Sequence, residues 1–405
     1  MKLFAASAIA LTLVGSSQAW WDVGHKLVAA VATSHMKNAH SIEQVNNVLS
    51  YMDTLYNDEV TEWEMGNYAA QGSSRPKQES TTLVQAATWA DVAKSFYNMQ
   101  IFGIWHYVNI RYDPDNLNCD TSVDVDAKTQ MLQLSSDIPD TYNGRQTAHW
   151  YAHFGLNFLV HMIGDVHQPY HAVARCMMYD GEVASDFGGN RWTFITPANE
   201  STNLHSWWDS GQTLWGNDLQ AEIEASDPEY TEFAAALIAK YPITKLAEMG
   251  YDTDLAREED RTRMEESIDI WLNESFNLGV DSYDAAPLNG MMEQSYADEA
   301  HLIAESRVVI GGMRLAAVLD GIFAETNFPA FDISSTSTED AASVKSEADA
   351  AESDGGGVST GALVGGIIGG VVVGAIIGAV AVKMIGGSKS SSANANTEES
   401  RVELS

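Results

Sequence analysis

The chain has 405 residues, with 22 Lys and Arg against 56 Asp and Glu, for a formal net charge of −34. That balance excludes nucleic-acid binding through a broad basic surface and leaves phosphate recognition to a local positive charge, such as a cluster of divalent metals. Cys119 and Cys176 are the whole cysteine complement, too few for a disulfide framework or a Cys-type zinc site, although in an oxidising compartment they can form one bridge.

Residues 1–19 begin with Lys2, continue with the apolar run Leu3–Val14 and end in Ser17-Gln18-Ala19. This reads as a secretory signal, and cleavage after Ala19 makes Trp20 the new N-terminus with a free amine. From 20 to 328 apolar residues recur at helical spacing over 24–37, 41–56, 146–166, 230–248, 258–276 and 293–323. The run RWTFI at 191–195 suits a small hairpin, but no alternating series supports a large sheet. The expected fold class is therefore all-α. Asn199-Glu-Ser and Asn273-Glu-Ser are glycosylation sequons, in keeping with export.

Residues 329–357 turn to Ser, Thr, Ala, Asp and Glu and end in three glycines, the composition of a flexible acidic stalk. Residues 358–385 contain GALVGGIIGGVVVGAIIGAVAV at 361–382, with no charge. At about 1.5 Å per residue this run spans roughly 30 Å, the thickness of a bilayer core, and reads as a transmembrane helix. Gly365 and Gly369, and Gly366, Gly370 and Gly374, repeat at four-residue spacing, which permits close helix contact and a dimer. Lys383 and Lys389 follow, so 386–405 is expected as a short cytoplasmic tail with the helical domain outside.

The helical domain is organised around 153–171, HFGLNFLVHMIGDVHQPYH. Leu156, Phe158, Leu159, Val160, Met162 and Ile163 make it apolar enough to be buried, yet His161 and Asp165 lie one turn apart on one face. Gln168-Pro169 ends the helix and His171 follows. Two His and one Asp converging at a helix end suit zinc; a buried His–Asp hydrogen bond would use the same residues. Further His and Asp occur in aromatic settings: His25 after Trp20-Trp21, Asp91 after Trp89, His106 after Trp105, and His205 with Asp209 at the same four-residue spacing. Eight such groups exceed the four ligands of one zinc, which points to a cluster of several. His167, His153, His149, His35, His40 and His301 read as structural or supporting residues.

Taken in order, Trp20-x4-His25, Trp89-Ala90-Asp91, Trp105-His106-Tyr107, HMIGDVHQPYH at 161–171, Gly188-Gly189-Asn190 and NLHSWWD at 203–209 resemble the zinc-dependent class I nucleases. That family comprises fungal single-strand nucleases, plant bifunctional nucleases and trypanosomatid 3′-nucleotidase/nucleases, and a membrane-anchored form is most like the last. The resemblance implies a helical domain of phospholipase C/class I nuclease type with a tri-zinc cleft. One zinc would take Asp91, His106, His161 and Asp165. A second would take the Trp20 amine and carbonyl, His25 and the bridging Asp165. A third would take His171, His205 and Asp209. The implied reaction cleaves the P–O3′ bond with a metal-activated hydroxide, leaving 5′-phosphates from single-stranded RNA or DNA and releasing phosphate from 3′-nucleotides. Asp91, Asp165 and Lys94 would serve catalysis, and Tyr107, Asn109 and Asn190 would meet the substrate.

Two positions depart from the family pattern. Lys94 stands where arginine is common, which keeps the charge but loses the bidentate fork. Asn109 stands where aspartate is common in the base site. Tyr107 could stack on a base or simply pack beside the metals. The related zinc-dependent phospholipase C is the nearest enzyme alternative, but its last ligand pair ends in Glu and its first His lies farther from the N-terminal Trp. A non-catalytic zinc-binding surface glycoprotein is the alternative of another class, and no lost ligand supports it.

Overall fold

The computed structural model describes residues 20–50, 82–96, 99–141, 146–212 and 227–329, all within one compact unit. The expected signal segment, the stalk beyond Pro329, the transmembrane run with its glycine contact face and the tail lie outside the described residues. Among the described residues no helix is long and apolar enough to cross a membrane.

The first helix, α1 (Asp22–His35), is buried nearly all round through Val23, Leu27, Val28, Ala29, Ala30, Val31 and Ala32. Such a helix must be enclosed by others. It packs against α12 (Gln294–Phe323), and Gly312 makes the approach possible, since a Cβ there would lie 2.5 Å from Val31 Cβ. Next comes α2 (Ala39–Leu49), capped by Asn38, whose side chain accepts from the His40 and Ser41 amides. The rest of the helix predicted over 41–56 falls outside the described residues. Short helices α3 (Leu83–Ala86) and α4 (Trp89–Phe96) and a 3₁₀ turn (Gln100–His106) lead into β1 (Ile110–Tyr112). Asp126 and Thr129 then form a capping box at the start of α5 (Ala127–Asp140).

At the centre stands α6 (Gln146–Asp165), in contact with α1 to α5 and with α12. Its six apolar residues from Leu156 to Ile163 are at most 1% exposed. At about 2 kcal/mol each they carry the helix inside, and His161 and Asp165 with it. The second half of the domain holds α8 (Asp227–Lys240), α9 (Ile243–Glu248), α10 (Leu255–Glu258), α11 (Met264–Ala285) and α12. The single helix predicted over 230–248 is two, because Pro242 has no amide proton to donate and starts a new helix as the N-cap of α9. The helix predicted over 258–276 starts at Met264 and runs on to Ala285.

The domain is mainly helical, as expected, and carries two small sheets. β2 (Val173–Tyr179) pairs in parallel with β1 and antiparallel with β3 (Glu182–Ser185). The two-residue turn Asp180-Gly181, with φ of 52° and 87°, has the backbone that favours a tight hairpin. The hairpin foreseen near 191–195 is present as β4 (Thr193–Ile195) paired with β5 (Ser201–Asn203), followed directly by α7 (Leu204–Asp209). Strands β1, β4 and β5 have three residues each, too few to show a two-residue period, and β2 reads Val-Ala-Arg-Cys-Met-Met-Tyr without alternation, since most of it is buried. Cys119 and Cys176 are bonded, joining the segment after β1 to β2 across a separation of 57 residues. In the loop-entropy picture such a link contributes about 4 kcal/mol.

Candidate metal centre

The small sheet aligns two histidines that are far apart in sequence. Val108 N–H donates to His171 O at 2.7 Å and Ile110 N–H to Ala172 O at 2.9 Å, extending the β1–β2 pairing back to the site. His106, at the end of the 3₁₀ turn, thereby sits beside His171, whose Nδ1 lies 2.5 Å from His106 O. His161 and Asp165 come from α6, His205 and Asp209 from α7, Asp91 from α4 and His25 from α1. All eight are at most 3% exposed.

Backbone carbonyls set the imidazoles. Nδ1 of His161 faces Ala87 O at 2.6 Å and Nδ1 of His205 faces Gly188 O at 2.7 Å. A carbonyl only accepts, so Nδ1 carries the proton in His161, His171 and His205, and each Nε2 turns a lone pair inward. Metal-binding histidines are commonly oriented this way. Most of the inward atoms lack hydrogen bonds: His25 Nε2, His171 Nε2, His205 Nε2 and both oxygens of Asp165 are buried without a partner, while His161 Nε2 and His106 Nδ1 meet each other at 3.0 Å. Orphaned polar atoms at this density would be costly in an apolar core, and a cation among them would satisfy them.

The spacing also fits. Ligands of one tetrahedral zinc lie about 3.3 Å apart, the edge set by bonds of roughly 2.0–2.1 Å. His205 Nε2 lies 3.5 Å from Asp209 Oδ2, and His171 Nε2 lies 3.7 Å from Asp209 Oδ1. His161 Nε2 is 3.4 Å and His106 Nδ1 3.1 Å from Asp165 Oδ2, while His25 Nε2 is 3.2 Å from Asp165 Oδ1. Asp91 Oδ1 and Oδ2 are each 3.7 Å from His106 and His161 respectively. Three groups result, each close enough to hold an ion: His25 with Asp91 and His161, His106 with His161 and Asp165, and His171 with His205 and Asp209. Asp165 directs one oxygen toward His25 and the other toward His106 and His161, the disposition of a shared ligand.

Burial holds the ring pKa values of His25, His106, His161 and His205 below the ordinary range, and that of His171 at about 4, so the imidazoles stay neutral and able to coordinate. Burial pushes Asp165 up, Asp91 adding to the effect, and pushes Asp209 up to about 7. Burial acts on Asp91 in the same sense, but the charge of Lys94, which also donates to it, outweighs burial and holds Asp91 at about 2.

The remaining residues foreseen for the site fall at its rim. Lys94 is buried and donates to Asp91 Oδ1 at 2.6 Å, so its charge is shared with a ligand candidate. Tyr107 and Asn109 are half-buried in the segment joining His106 to β1. The Asn190 amide donates to Phe187 O at 2.8 Å. Trp20 is fully buried, and the following amide, Trp21 N–H, donates to Asp209 O at 2.8 Å, which ties the start of the helical domain to the third group. His35, His40, His153, His167 and His301 are hydrogen-bonded within the fold, in keeping with a structural or supporting role. The side chain of His149 is outside the described residues.

Three residues emerge from the structure alone. The Gln168 side chain donates to Asp209 Oδ1 at 2.5 Å and its carbonyl accepts from the Tyr170 amide, so the residue before the helix-ending proline also orients a ligand candidate. Phe187 is 54% exposed beside the Gly188 carbonyl that holds His205. Gly164 gives His25 its place: a Cβ there would lie 2.7 Å from His25 Nδ1, and that ring is stacked on His161 at 3.9 Å. Gly164→Ala should therefore displace His25. We expect about a 10–100-fold fall in affinity at the group containing His25, the range for disturbing a ligand's support, read by zinc titration calorimetry. The metal-free fold should lose about 1–3 kcal/mol, the cost of overpacking a buried site, partly offset because alanine is the better helix former; unchanged zinc affinity would contradict the assigned role of the glycine.

The S1/P1 Nuclease family matches residues 20–324, beginning at the tryptophan that opens the helical domain. The chain is 26% identical to Nuclease S1 of Aspergillus oryzae over 215 residues, 52% of this chain and 60% of that protein. With Endonuclease 4 of Arabidopsis thaliana it shares 24% identity over 340 residues, covering 79% of this chain and 94% of the relative, and with Endonuclease 2 of the same plant 27% over 270 residues, 61% and 80%. The His and Asp groups thus lie within a match that spans the whole helical domain, and the chain belongs to the S1/P1 nuclease family.

Proposed function

We propose that this protein is a zinc-dependent phosphoesterase that hydrolyses single-stranded RNA and DNA to 5′-phosphates and dephosphorylates 3′-nucleotides, with three Zn2+ held by Trp20, His25, Asp91, His106, His161, Asp165, His171, His205 and Asp209. The observation that carries this reading is the set of buried His and Asp atoms at tetrahedral spacing, with both Asp165 oxygens and the Nε2 atoms of His25, His171 and His205 left without a hydrogen bond. When bound, zinc supplies Lewis-acid activation of water and neutralisation of phosphoryl charge. The chain's own residues then have distinct tasks. His161, His171 and His205, fixed by backbone carbonyls, keep their lone pairs aimed without reorganisation. Lys94 keeps Asp91 ionised and adds positive charge at the rim for a phosphate. Tyr107 and Phe187 each offer aromatic surface for a base, which is sequence-tolerant recognition, with Asn109, two residues from Tyr107, and Asn190, whose amide donates to Phe187 O, as polar groups for the substrate.

The catalytic unit on this reading is 20–328, exported behind the signal 1–19 and tethered through the stalk 329–357 by the helix 358–385, with 386–405 inside. The disulfide fits an oxidising compartment. Asn199, exposed on the β4–β5 turn with φ of 65°, suits glycosylation, whereas Asn273 lies on α11 two residues before a fully buried Ser275.

The test is phosphate release from 3′-AMP and cleavage of single-stranded DNA by the 20–328 domain, before and after chelation, with zinc added back and His161→Ala as control. Activity restored by zinc and lost in the variant is the expected result; no activity on either substrate from zinc-loaded protein would overturn the reading. Metal binding should also depend on pH. As pH falls below about 7 a proton competes for Asp209, and below about 4 another competes for His171. Each displaced proton costs about tenfold in affinity per pH unit. Calorimetric titration at pH 8, 7, 6 and 5 should show zinc affinity falling once pH drops below about 7; a flat profile would contradict a buried carboxylate at the third group.

A further inference from the structure

The β2–β3 hairpin and the loop that follows it carry a group that the metal chemistry does not use. The Arg191 guanidinium lies 4.4 Å from the centre of the Tyr179 ring and 4.0 Å from that of Phe187, bridging the two. Tyr179 is 40% and Phe187 54% exposed. Arg191 is held in place by its own backbone, with N–H donating to Asp186 O at 2.9 Å, and by Nη1 donating to Ser185 O at 3.0 Å. Among the described residues no carboxylate pairs with it, whereas Arg175, Arg257, Arg307 and Arg314 are each matched to one. In a chain with a net charge of −34, an arginine with no carboxylate partner laid against two exposed rings places positive charge and ring faces together on the surface. The group is also continuous with the metal centre, because Phe187 precedes Gly188, whose carbonyl orients His205.

We propose that Tyr179 and Arg191 form a second base subsite, which takes the nucleotide adjacent to the one processed at the metal groups of a single strand. A ring face offers stacking to any base, and the guanidinium adds stacking and attraction for the neighbouring phosphate. A duplex cannot use the subsite, because its bases are already stacked on each other. The exposed Asp180 and Glu182 at the hairpin tip would repel further phosphates, so the platform holds one nucleotide and not a long tract. The inference rests on the nuclease reading and deepens it.

The test compares the full-length zinc-loaded protein with Tyr179→Ala, Tyr179→Phe, Arg191→Gln and Arg191→Lys, each assayed on 3′-AMP and on a single-stranded oligonucleotide. Losing a stacked base costs roughly 5–150-fold. We expect the ratio of kcat/KM on the oligonucleotide to that on 3′-AMP to fall about tenfold in Tyr179→Ala and Arg191→Gln, through KM. Tyr179→Phe, which keeps the ring, should retain the wild-type ratio, and Arg191→Lys, which keeps only the charge, should fall between. An unchanged ratio in Tyr179→Ala and Arg191→Gln, whether both substrates suffer equally or neither does, would overturn the subsite while leaving the nuclease reading intact. A wild-type protein inactive on both substrates would overturn the nuclease reading and the subsite together.

Discussion

Asp165→Asn should abolish metal binding at the group of His106, His161 and Asp165, weaken it at the group of His25, which the other Asp165 oxygen faces, and reduce activity by more than about 100-fold, above the range for merely disturbing a ligand's support. Its carboxylate is fully buried, with Oδ1 toward His25 and Oδ2 toward His106 and His161, and neither oxygen has a hydrogen bond. An amide preserves the shape but removes the charge and turns one arm into a donor, so it cannot serve two cations. The same change should leave the metal-free protein at least as stable. Burial, reinforced by Asp91, already pushes the Asp165 carboxyl well above its ordinary range, and a group with a raised folded pKa stabilises below its unfolded value and loses that contribution as pH rises through the folded one. At neutral pH the carboxylate is thus a burden unless a cation meets it. Calorimetric melting of both proteins with and without zinc reads the two effects together. Wild type should gain stability with zinc and Asp165→Asn should gain far less; equal gains would contradict a shared ligand.

Glu274→Ala should destabilise the domain by about 3–5 kcal/mol, the cost of leaving a buried charge unpaired. Arg307 and Arg314 on α12 are wholly buried, and Glu274 on α11 meets both, accepting from Arg307 Nη1 at 2.5 Å and from Arg314 Nη1 and Nη2 at 2.7 Å. The network reaches the metal helix, since Arg307 donates to His167 O at 3.0 Å and Arg314 to His167 Nε2 at 2.9 Å, two residues past Asp165. Burial raises the Glu274 pKa, but the charges of Arg307 and Arg314 outweigh it and hold the carboxyl below its ordinary range. Its contribution is therefore present above its unfolded value of 4.5 and is lost as pH falls through the folded value. Melting at pH 7 should drop by on the order of 10 °C, and the gap between wild type and variant should narrow toward pH 3. An unchanged melting temperature at pH 7 would contradict the pairing.

How far the fold was legible depended on the length of each element. The α6 helix could be read because six apolar residues accompany His161 and Asp165 over more than a turn, and four-residue spacing places the two on one face. α5 was not foreseen, since Ala127, Met131, Leu134 and Ile138 form only a thin stripe among polar residues. The three-stranded sheet was missed for a similar reason, although Asp180-Gly181 is a strong hairpin signal. That omission matters, because the parallel β1–β2 pairing is what seats His106 beside His171. The ligand candidates could be named from sequence because imidazoles and carboxylates in apolar surroundings need a reason. Their supports could not, since the Ala87, His106 and Gly188 carbonyls are backbone atoms with no signature in residue type. Phe187 gave no signal either; its exposure follows from a left-handed backbone, φ 55°, ahead of two glycines.

The most direct measurement is the zinc content of the protein beginning at Trp20, by native mass spectrometry after dialysis against dilute zinc. Three zincs per chain are expected, with one lost in Asp209→Asn. A single zinc, or none, in a folded protein whose eight His and Asp residues are intact would contradict the three-metal account.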